Sequence, residues 1–289
     1  MAADVVLQLA VNGIMAGAVL AVPAIGFTAI YAVLRFPNFA VGGLATLGAY
    51  AGYAANVGAG LPLAAALGVA AVLAGLLGVA CDEVALRRLR LAGPLAAAIG
   101  SVALGVVLEN LARFVWGNDL LAYNVPIERD WVAGAVRVGP QQAFNALWSA
   151  LAMAAVFLFL RFTRTGKMMR AVADNAALAD LKGINPALVA RLATGAGMGL
   201  AGFGGMLIGL DTGIDPLTGF RAMLPVFAAA VVGGLGSIPG AVLGALLVGV
   251  GEELSLLLLD PAYRTAVGFA AIVLVLSLRP RGLLGERAL

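Results

Sequence analysis

Nine apolar runs separated by polar loops limit the folds that this chain can adopt. Most approach the length of about 20 residues that an α-helix needs to cross the hydrocarbon core of a bilayer. Of the 289 residues, 62% are hydrophobic and 11% charged, whereas roughly a quarter are charged in a soluble domain. The sequence therefore predicts an all-α polytopic membrane protein with one transmembrane domain over residues 1–289. The runs are 5–34, 39–55, 61–81, 94–116, 143–160, 192–210, 223–235, 241–259 and 266–278.

Three of the runs are short for a complete crossing. These are 39–55, 223–235 and 266–278, and each suits a half-helix or a tilted helix. Hydropathy thus predicts eight or nine transmembrane helices, some of them short or broken.

The stretch 226–252 is apolar yet rich in glycine, which is unusual inside a soluble helix. Three of its glycines recur every fourth residue, a spacing that forms one stripe for close helix packing in a bilayer. Neighbouring glycines and a proline also favour a break, so a kinked packing helix and a broken helix lining a transport route both remain open. The candidate pathway or packing residues here are Gly233, Gly234, Gly236, Ser237, Pro239, Gly240 and Gly244.

Lysine and arginine in the loops predict the orientation, because cytoplasmic loops are enriched in both. The basic segments 82–93, 161–191 and 279–289 are expected inside, whereas 117–142 and 211–220 are expected outside. The N-terminus is then periplasmic and the C-terminus cytoplasmic. The outer loop 117–142 is predicted to form a small ordered flap or hairpin.

The inner segment 161–191 contains a stretch of helical composition at 168–182, followed by Gly183 as a natural helix end. An apolar strip on this helix predicts that it lies along the membrane face. It is either an ordinary amphipathic connector or a plug for a cytoplasmic partner. The strip comprises Met169, Val172, Leu178 and Leu181.

No catalytic or metal-binding constellation is present in the sequence. The chain has no histidine and one cysteine, Cys81, so imidazole chemistry and an intrachain disulfide are excluded. Gly166-Lys167 lacks the glycine-rich loop that cradles phosphates, so the chain is not expected to hydrolyse ATP. The aromatic and basic residues form no patch for nucleic acid.

Few polar residues occur inside the runs. Glu109 and Arg113 are four residues apart and are expected to meet on one helix face, as a functional pair or a structural one. Asn38 is expected to bond across helices or to touch a solute. Glu252 and Glu253 are expected to face water.

Five stretches of the chain together resemble the membrane permease subunits of bacterial high-affinity branched-chain amino acid ABC importers, specifically the Liv H-type subunit. The resemblance covers almost the whole chain and includes relatives that carry amides and urea. One difference follows Ala40: the family commonly has histidine, glycine and an acid, whereas Val41, Gly42 and Gly43 stand here, so the two polar side chains are missing. The stretches are 26–50 (GFTAIYAVLRFPNFAVGGLATLGAY), 96–117, 164–185, 227–252 and 278–286.

The resemblance implies a permease in the bacterial inner membrane that binds no cofactor itself. A second homologous permease would complete the pathway, two cytoplasmic ATP-binding subunits would use ATP, and a periplasmic solute-binding protein would deliver the solute. On this resemblance, Asn38, Gly42 and Gly43 are pathway or packing residues. The implied contacts with the ATPases are Arg170, Ala171, Asp174, Ala177, Leu178, Leu181 and Gly183.

An ion-coupled secondary transporter or a channel is the alternative function. It would need a chain of intramembrane acids or bases for coupling, and Glu109 with Arg113 is the pair available for that role. A membrane scaffold without transport fits the glycine and proline breaks poorly.

Overall fold

The computed structural model describes residues 2–126, 129–134, 136–279 and 281–285. Glu128 of the predicted outer loop and Glu286 of the last family-like stretch lie outside the described residues. The described chain is a bundle of helices with one small hairpin.

The first half of the bundle follows the predicted apolar runs closely. A π-helical turn, Ala54–Gly58, extends the second helix, and another, Asp82–Leu86, joins the third helix to the fourth. The helices are α1 Ala2–Leu34, α2 Ala40–Tyr53, α3 Leu63–Cys81, α4 Arg87–Arg90 and α5 Pro94–Trp116.

The second half begins with the hairpin that was predicted in the outer loop. Strand β1, Trp131–Ala133, pairs antiparallel with β2, Val136–Val138, and Trp131 lies opposite Val138. The helices that follow are α6 Pro140–Phe162, α7 Arg164–Asp174, α8 Ala176–Leu181, α9 Pro186–Thr212, α10 Thr218–Gly233, α11 Ile238–Ser255 and α12 Arg264–Leu278.

All nine apolar runs contain a helix, but the helices differ in length. Six spans in the described residues are long and apolar enough to cross a membrane. Helices α2, α10 and α12 have 14, 16 and 15 residues, as the short runs predicted. The chain is therefore a mostly helical, multi-pass membrane protein.

Contacts between distant residues define the two ends of the bundle. At the hairpin end, the Gln8 amide donates to the Arg137 carbonyl at 2.9 Å. At the opposite end, which we call the α7–α8 end, the Arg35 guanidinium donates to the carbonyl of Ala173. Helix α1 therefore runs the full height of the bundle.

Close contacts between glycines hold the centre of the bundle together. Gly26 of α1 lies against Gly197 of α9, and Gly48 of α2 lies against Gly202 of α9. On the other side of α1, Gly17 contacts the backbone of α11 at Ala245. Small residues let these backbones approach, which is how helices associate where lipid is as apolar as leucine.

The prediction that Gly236, Gly240 and Gly244 form one stripe on a helix is wrong for Gly236. Gly236 precedes α11 and has a φ of +92°, a conformation that glycine adopts without strain. The Ser237 hydroxyl accepts from the Gly240 amide at 3.2 Å and begins the helix there. Gly240 and Gly244 do share a face, and they lie against Gly233 and Ala229 of α10.

The predicted continuous helix over 168–182 is also wrong. Helix α7 ends at Asp174, and Asn175 takes an extended conformation with φ −156° and ψ 102°. Its side chain accepts from the Leu178 amide at 2.9 Å and so starts α8 as an N-cap. Gly183, with φ +83°, ends α8 as predicted.

The expectation that Glu252 and Glu253 face water is wrong as well. Each residue is 8% exposed. Arg264, at the start of α12, binds both carboxylates, with its Nη2 atom 2.6 Å from Oε1 of Glu253. The next helix thus supplies the positive charge that makes burial of two carboxylates tolerable.

Candidate functional site

Helix α2 begins inside the bundle rather than at its end. The preceding residues 35–39 are not helical, and Phe36 packs against Leu86 and Ala97 close to the α7–α8 end. The Phe39 amide donates to the Ser101 hydroxyl at 2.9 Å. Ser101 is seven residues into α5, which is roughly 10 Å along the helix. The span containing α2 is therefore discontinuous, with a short nonhelical segment before the helix.

Helix α10 also begins inside the bundle, after a nonhelical stretch that enters from the hairpin end. In this stretch Ile214 exchanges backbone hydrogen bonds with Leu121 at 2.8 and 2.9 Å. The helix then starts at Thr218. The two discontinuous spans thus enter the bundle from opposite ends.

The first turns of α2 and α10 touch each other. The Gly219 amide donates to the Thr46 hydroxyl at 2.9 Å, and a Cβ at Gly219 would overlap the Gly42 carbonyl. Gly43 lies on the next face, where its Cβ position is 3.0 Å from the Gly105 carbonyl of α5. Glycine at these positions is required by the close approach of three backbones.

A buried polar donor lies at this junction. Asn38 is 1% exposed, and its Oδ1 atom accepts from the Ala40 amide at 3.1 Å. Its Nδ2 atom has no hydrogen-bond partner among the described residues. Beside it, the rings of Phe27, Phe39 and Phe227 have centroids 5.6 to 6.2 Å apart. The junction combines a free amide donor with an aromatic wall.

A cleft of about 90 Å³ opens beside this junction toward the outside of the bundle. Ligand pockets usually enclose about 300–1,000 Å³, so the cleft is too small for a typical ligand as it stands. Its walls come from α2, α5 and α10. The lining residues that recur below are Phe39, Gly42, Gly43, Thr46, Glu109 and Phe220.

Two charged pairs flank the cleft. Arg113 Nη2 lies 2.6 Å from Glu109 Oε1, so the predicted pair meets on α5. The Arg221 guanidinium binds the Asp215 carboxylate, which also accepts from the Thr218 hydroxyl at 3.1 Å. Phe220 between them is 63% exposed. Charged groups and an exposed aromatic ring therefore share one face.

The loop at the hairpin end lies over both discontinuous spans. The Tyr123 hydroxyl donates to the Ala49 carbonyl of α2 at 2.9 Å, and the Asn124 amide donates to Asn56 Oδ1 at 2.9 Å. Burial raises the pKa of Tyr123 well above its ordinary value, so its hydroxyl remains a donor. With the Leu121 bridge to Ile214, this loop ties the two spans together.

On one side of the break between α10 and α11, glycines allow neighbouring backbones to pack closely. Gly233 contacts the Gly240 backbone, and Gly234, with φ +107°, lies against Gly285. The amides of Leu283 and Leu284 donate at 2.9 Å to the last carbonyls of α10. On the other side, Gly236, Ser237 and Pro239 line a separate cavity at the α7–α8 end.

The segment α7–α8 has one face on the bundle and one face free. Met169 and Val172 are buried in a cluster with Ala179 of α8 and Val189 of α9. Leu178 and Leu181 point outward and are 54% and 84% exposed. The predicted apolar strip is thus divided between two faces. Arg170, Asp174 and Ala177 are also exposed, and Ala171 is half-buried.

Several residues of the site escaped the sequence analysis. Thr46 and Ser101 sit in apolar runs, where a hydroxyl carries little signal. Asp215 lies within the predicted outer segment 211–220 and Arg221 directly follows it, and neither was singled out. The Gly213 and Pro216 pair, which brackets the extended entry to α10, was the available indication of a broken span.

Comparison with known proteins places the chain in a family. Residues 9–278 match the family described as branched-chain amino acid transport system, permease component. The high-affinity branched-chain amino acid transport system permease protein LivH of Escherichia coli K12 is 34% identical, covering 97% of this chain and 96% of the relative. BraD of Pseudomonas aeruginosa, a permease protein of the same description, is 31% identical over the same shares.

A solved structure shares the fold. A chain of PsaBC from Streptococcus pneumoniae in complex with Fab aligns with a TM-score of 0.53 and 14% identity, over 97% of both chains. The sequence matches extend over nearly all the helices described above, including both discontinuous spans. The chain belongs to the family of permease components of branched-chain amino acid transport systems.

Proposed function

We propose that this chain is the permease subunit of an ATP-driven importer for branched-chain amino acids or related small solutes such as amides and urea. The names of its relatives support the solute class. Among the residues that the structure describes, each of the nine apolar runs contains a helix, which supports nine crossings of the inner membrane. The basic loops favour an orientation with the hairpin end and the N-terminus outside and with the α7–α8 end and the C-terminus inside.

The observation that carries this proposal is the meeting of two helix N-termini at mid-depth, those of α2 and α10. Transporters commonly bind solute where discontinuous helices end, because the N-terminal dipole attracts an anionic group. We assign the carboxylate of an amino acid to the partial positive charge of these two N-termini and to Asn38 Nδ2, which has no hydrogen-bond partner among the described residues. The rings around Phe39 suit an apolar side chain. On the family resemblance, Val41 and Gly43 stand where polar side chains are common, so they add no polar side chain to this part of the chain.

A second, homologous permease completes the pathway on the face that bears the cleft. Glu109 with Arg113 and Asp215 with Arg221 lie beside it, and charges are costly when they face lipid. Phe220, exposed between the two pairs, is a suitable anchor for a partner. When the cleft-bearing faces of the two permeases pair, the small cleft becomes part of a larger translocation pathway.

The free face of α7–α8 docks two cytoplasmic ATP-binding subunits, which use the ATP. Leu178 and Leu181 supply the apolar contact, and Arg170 and Asp174 supply charges around it. Gly183 allows the tight end of α8. At the other end, a periplasmic solute-binding protein docks on the loop that ties the two discontinuous spans together.

The test uses the Asn38→Asp variant in the complete importer, reconstituted in vesicles with leucine as the solute. Aspartate keeps the oxygen that accepts from the Ala40 amide but loses the free donor and repels a carboxylate. We expect uptake to fall roughly 10- to 100-fold, the equivalent of about 1.5–3 kcal/mol for a hydrogen bond to a charged group. Asn118→Asp, at an exposed position in the loop after α5, is the matched control and should retain uptake.

Unchanged uptake by Asn38→Asp would remove the assigned solute site. Sustained uptake by the purified chain alone, without nucleotide or companion proteins, would instead favour an ion-coupled transporter or a channel.

A further inference from the structure

A cavity of about 860 Å³ lies at the α7–α8 end, where Arg170 and Asp174 border both its lining and the proposed ATPase-docking face, and the proposed solute site does not include it. It lies between α1, α6 and α7, and the first turn of α11 closes one side. Its size is within the range of about 300–1,000 Å³ that ligand pockets occupy. The exposed leucines of α8 are not part of its lining.

Three basic side chains line this cavity. They are Arg161 at the end of α6 and Lys167 and Arg170 on α7. Among the residues that the structure describes, none of the three forms an ion pair, although Arg161 lies over the Phe162 ring at 5.6 Å. Asp174 is the acidic residue of the lining, so the cavity has a net positive charge.

The opposite wall of the cavity is apolar and continues onto the outer surface of the bundle. Ala29, Ala32 and Val33 of α1 and Phe157 and Leu160 of α6 form it. Helix α6 has two buried residues among its 23, Asn145 and Ser149, so most of its surface faces outward. In a membrane that surface meets lipid tails. The cavity therefore has a cationic side formed by the three bases and an apolar side that is open toward lipid.

We propose that this cavity binds an anionic phospholipid, with its phosphate among Arg161, Lys167 and Arg170 and an acyl chain along α1 and α6. Basic pockets between transmembrane helices at the cytoplasmic side suit acidic lipid headgroups. The first turn of α11, which Ser237 caps, adds the partial positive charge of a helix N-terminus. The continuous apolar wall favours a lipid over a soluble phosphate.

The bound lipid would link α7 to α1 and α6. Arg170 and Lys167 are on the same helix as Met169, which packs the segment onto the bundle. Arg35, directly after α1, also donates to the Ala173 carbonyl of this segment. Occupancy by lipid thus stabilises the position of α7, whether or not an ATPase docks on the free face.

The experiment measures lipid retention by the full chain without partner subunits, so it does not depend on the proposed function. The chain is exchanged into nanodiscs holding equal parts phosphatidylglycerol and phosphatidylethanolamine, released, and weighed intact with its bound lipids by native mass spectrometry. We expect wild-type protein to retain phosphatidylglycerol preferentially. Each base near a membrane surface contributes about fivefold to such binding, so the triple variant R161Q/K167Q/R170Q should lose on the order of 100-fold of the preference.

The matched control removes three bases from the same end of the bundle but outside the cavity. R88Q/R164Q/K182Q changes the net charge equally and should keep the preference. Equal loss in both variants, or no preference in wild-type protein, would overturn the proposal. So would displacement of the lipid by millimolar inorganic phosphate, which would indicate a site for a free anion.

Discussion

Gly42 and Gly219, 177 positions apart in the chain, lie backbone to backbone where two discontinuous helices begin. The Cβ position of Gly42 is 3.0 Å from the Gly219 carbonyl, and a Cβ on Gly219 would overlap the carbonyl of Gly42. Because both close contacts involve backbone atoms, neither helix can yield by rotating a side chain. This contact fixes the geometry of the junction to which we assign the solute.

Replacing Gly219 by valine should therefore separate α2 from α10. Overpacking in a close contact costs about 1–3 kcal/mol, which should lower the melting temperature in detergent and reduce uptake by the complete importer. Gly58→Ala is the control, because no atom lies within 4 Å of the added Cβ. Normal stability and uptake for Gly219→Val would contradict the close approach of the two helices.

The Thr46 hydroxyl should contribute to stability through the same junction. Thr46→Val preserves the shape of the side chain but leaves the Gly219 amide, 2.9 Å away, without its acceptor. Loss of a partner for a buried donor costs about 1–3 kcal/mol, and thermal unfolding measures it. Thr212→Val, at an exposed hydroxyl near the end of α9, should unfold like the parent protein.

The fold was predictable where the signal is local. Each apolar run became a helix, and the glycines and Pro239 marked the break before α11. Gly236 was misassigned because a four-residue period does not indicate where a helix begins. The division of the inner segment at Asn175 was missed because its flanking residues favour helix on both sides.

The contacts that complete the site were not predictable, because they join distant residues. Thr46 meets Gly219 across 173 positions, and Ser101 meets Phe39 across 62. A hydroxyl in an apolar run has the same local signature whether it caps a helix or faces lipid. Likewise, nothing near Glu252 indicated that Arg264 would return from the next helix to pair with it.

The exposed leucines of α8 should matter for partner binding and not for folding. Leu181→Glu puts a charge on a side chain that is 84% exposed, so the chain alone should melt normally. Copurification with the ATP-binding subunits and coupling of ATP turnover to uptake should decrease. Met169→Glu is the contrasting variant, because Met169 is buried against α9 and the change should unfold the segment. Full coupling in Leu181→Glu would show that the ATPases dock elsewhere.

Arg264 should stabilise the hairpin end by neutralising two carboxylates from α11. Arg264→Met leaves Glu252 and Glu253 buried near each other, and breaking a buried pair costs about 3–5 kcal/mol. Because Arg264 is 39% exposed, water screens part of this effect and we expect the lower end of that range. Thermal unfolding in detergent gives the measurement.

A rescue separates this charge effect from lost packing of the arginine chain. Adding Glu252→Gln and Glu253→Gln to Arg264→Met removes the unpaired charges while keeping the side-chain volumes. The triple variant should recover most of the lost melting temperature, whereas packing loss alone would leave it as unstable as the single variant. Recovery by the Glu253 change alone would assign the main interaction to the contact of 2.6 Å, since Glu252 lies 3.5 Å from the guanidinium.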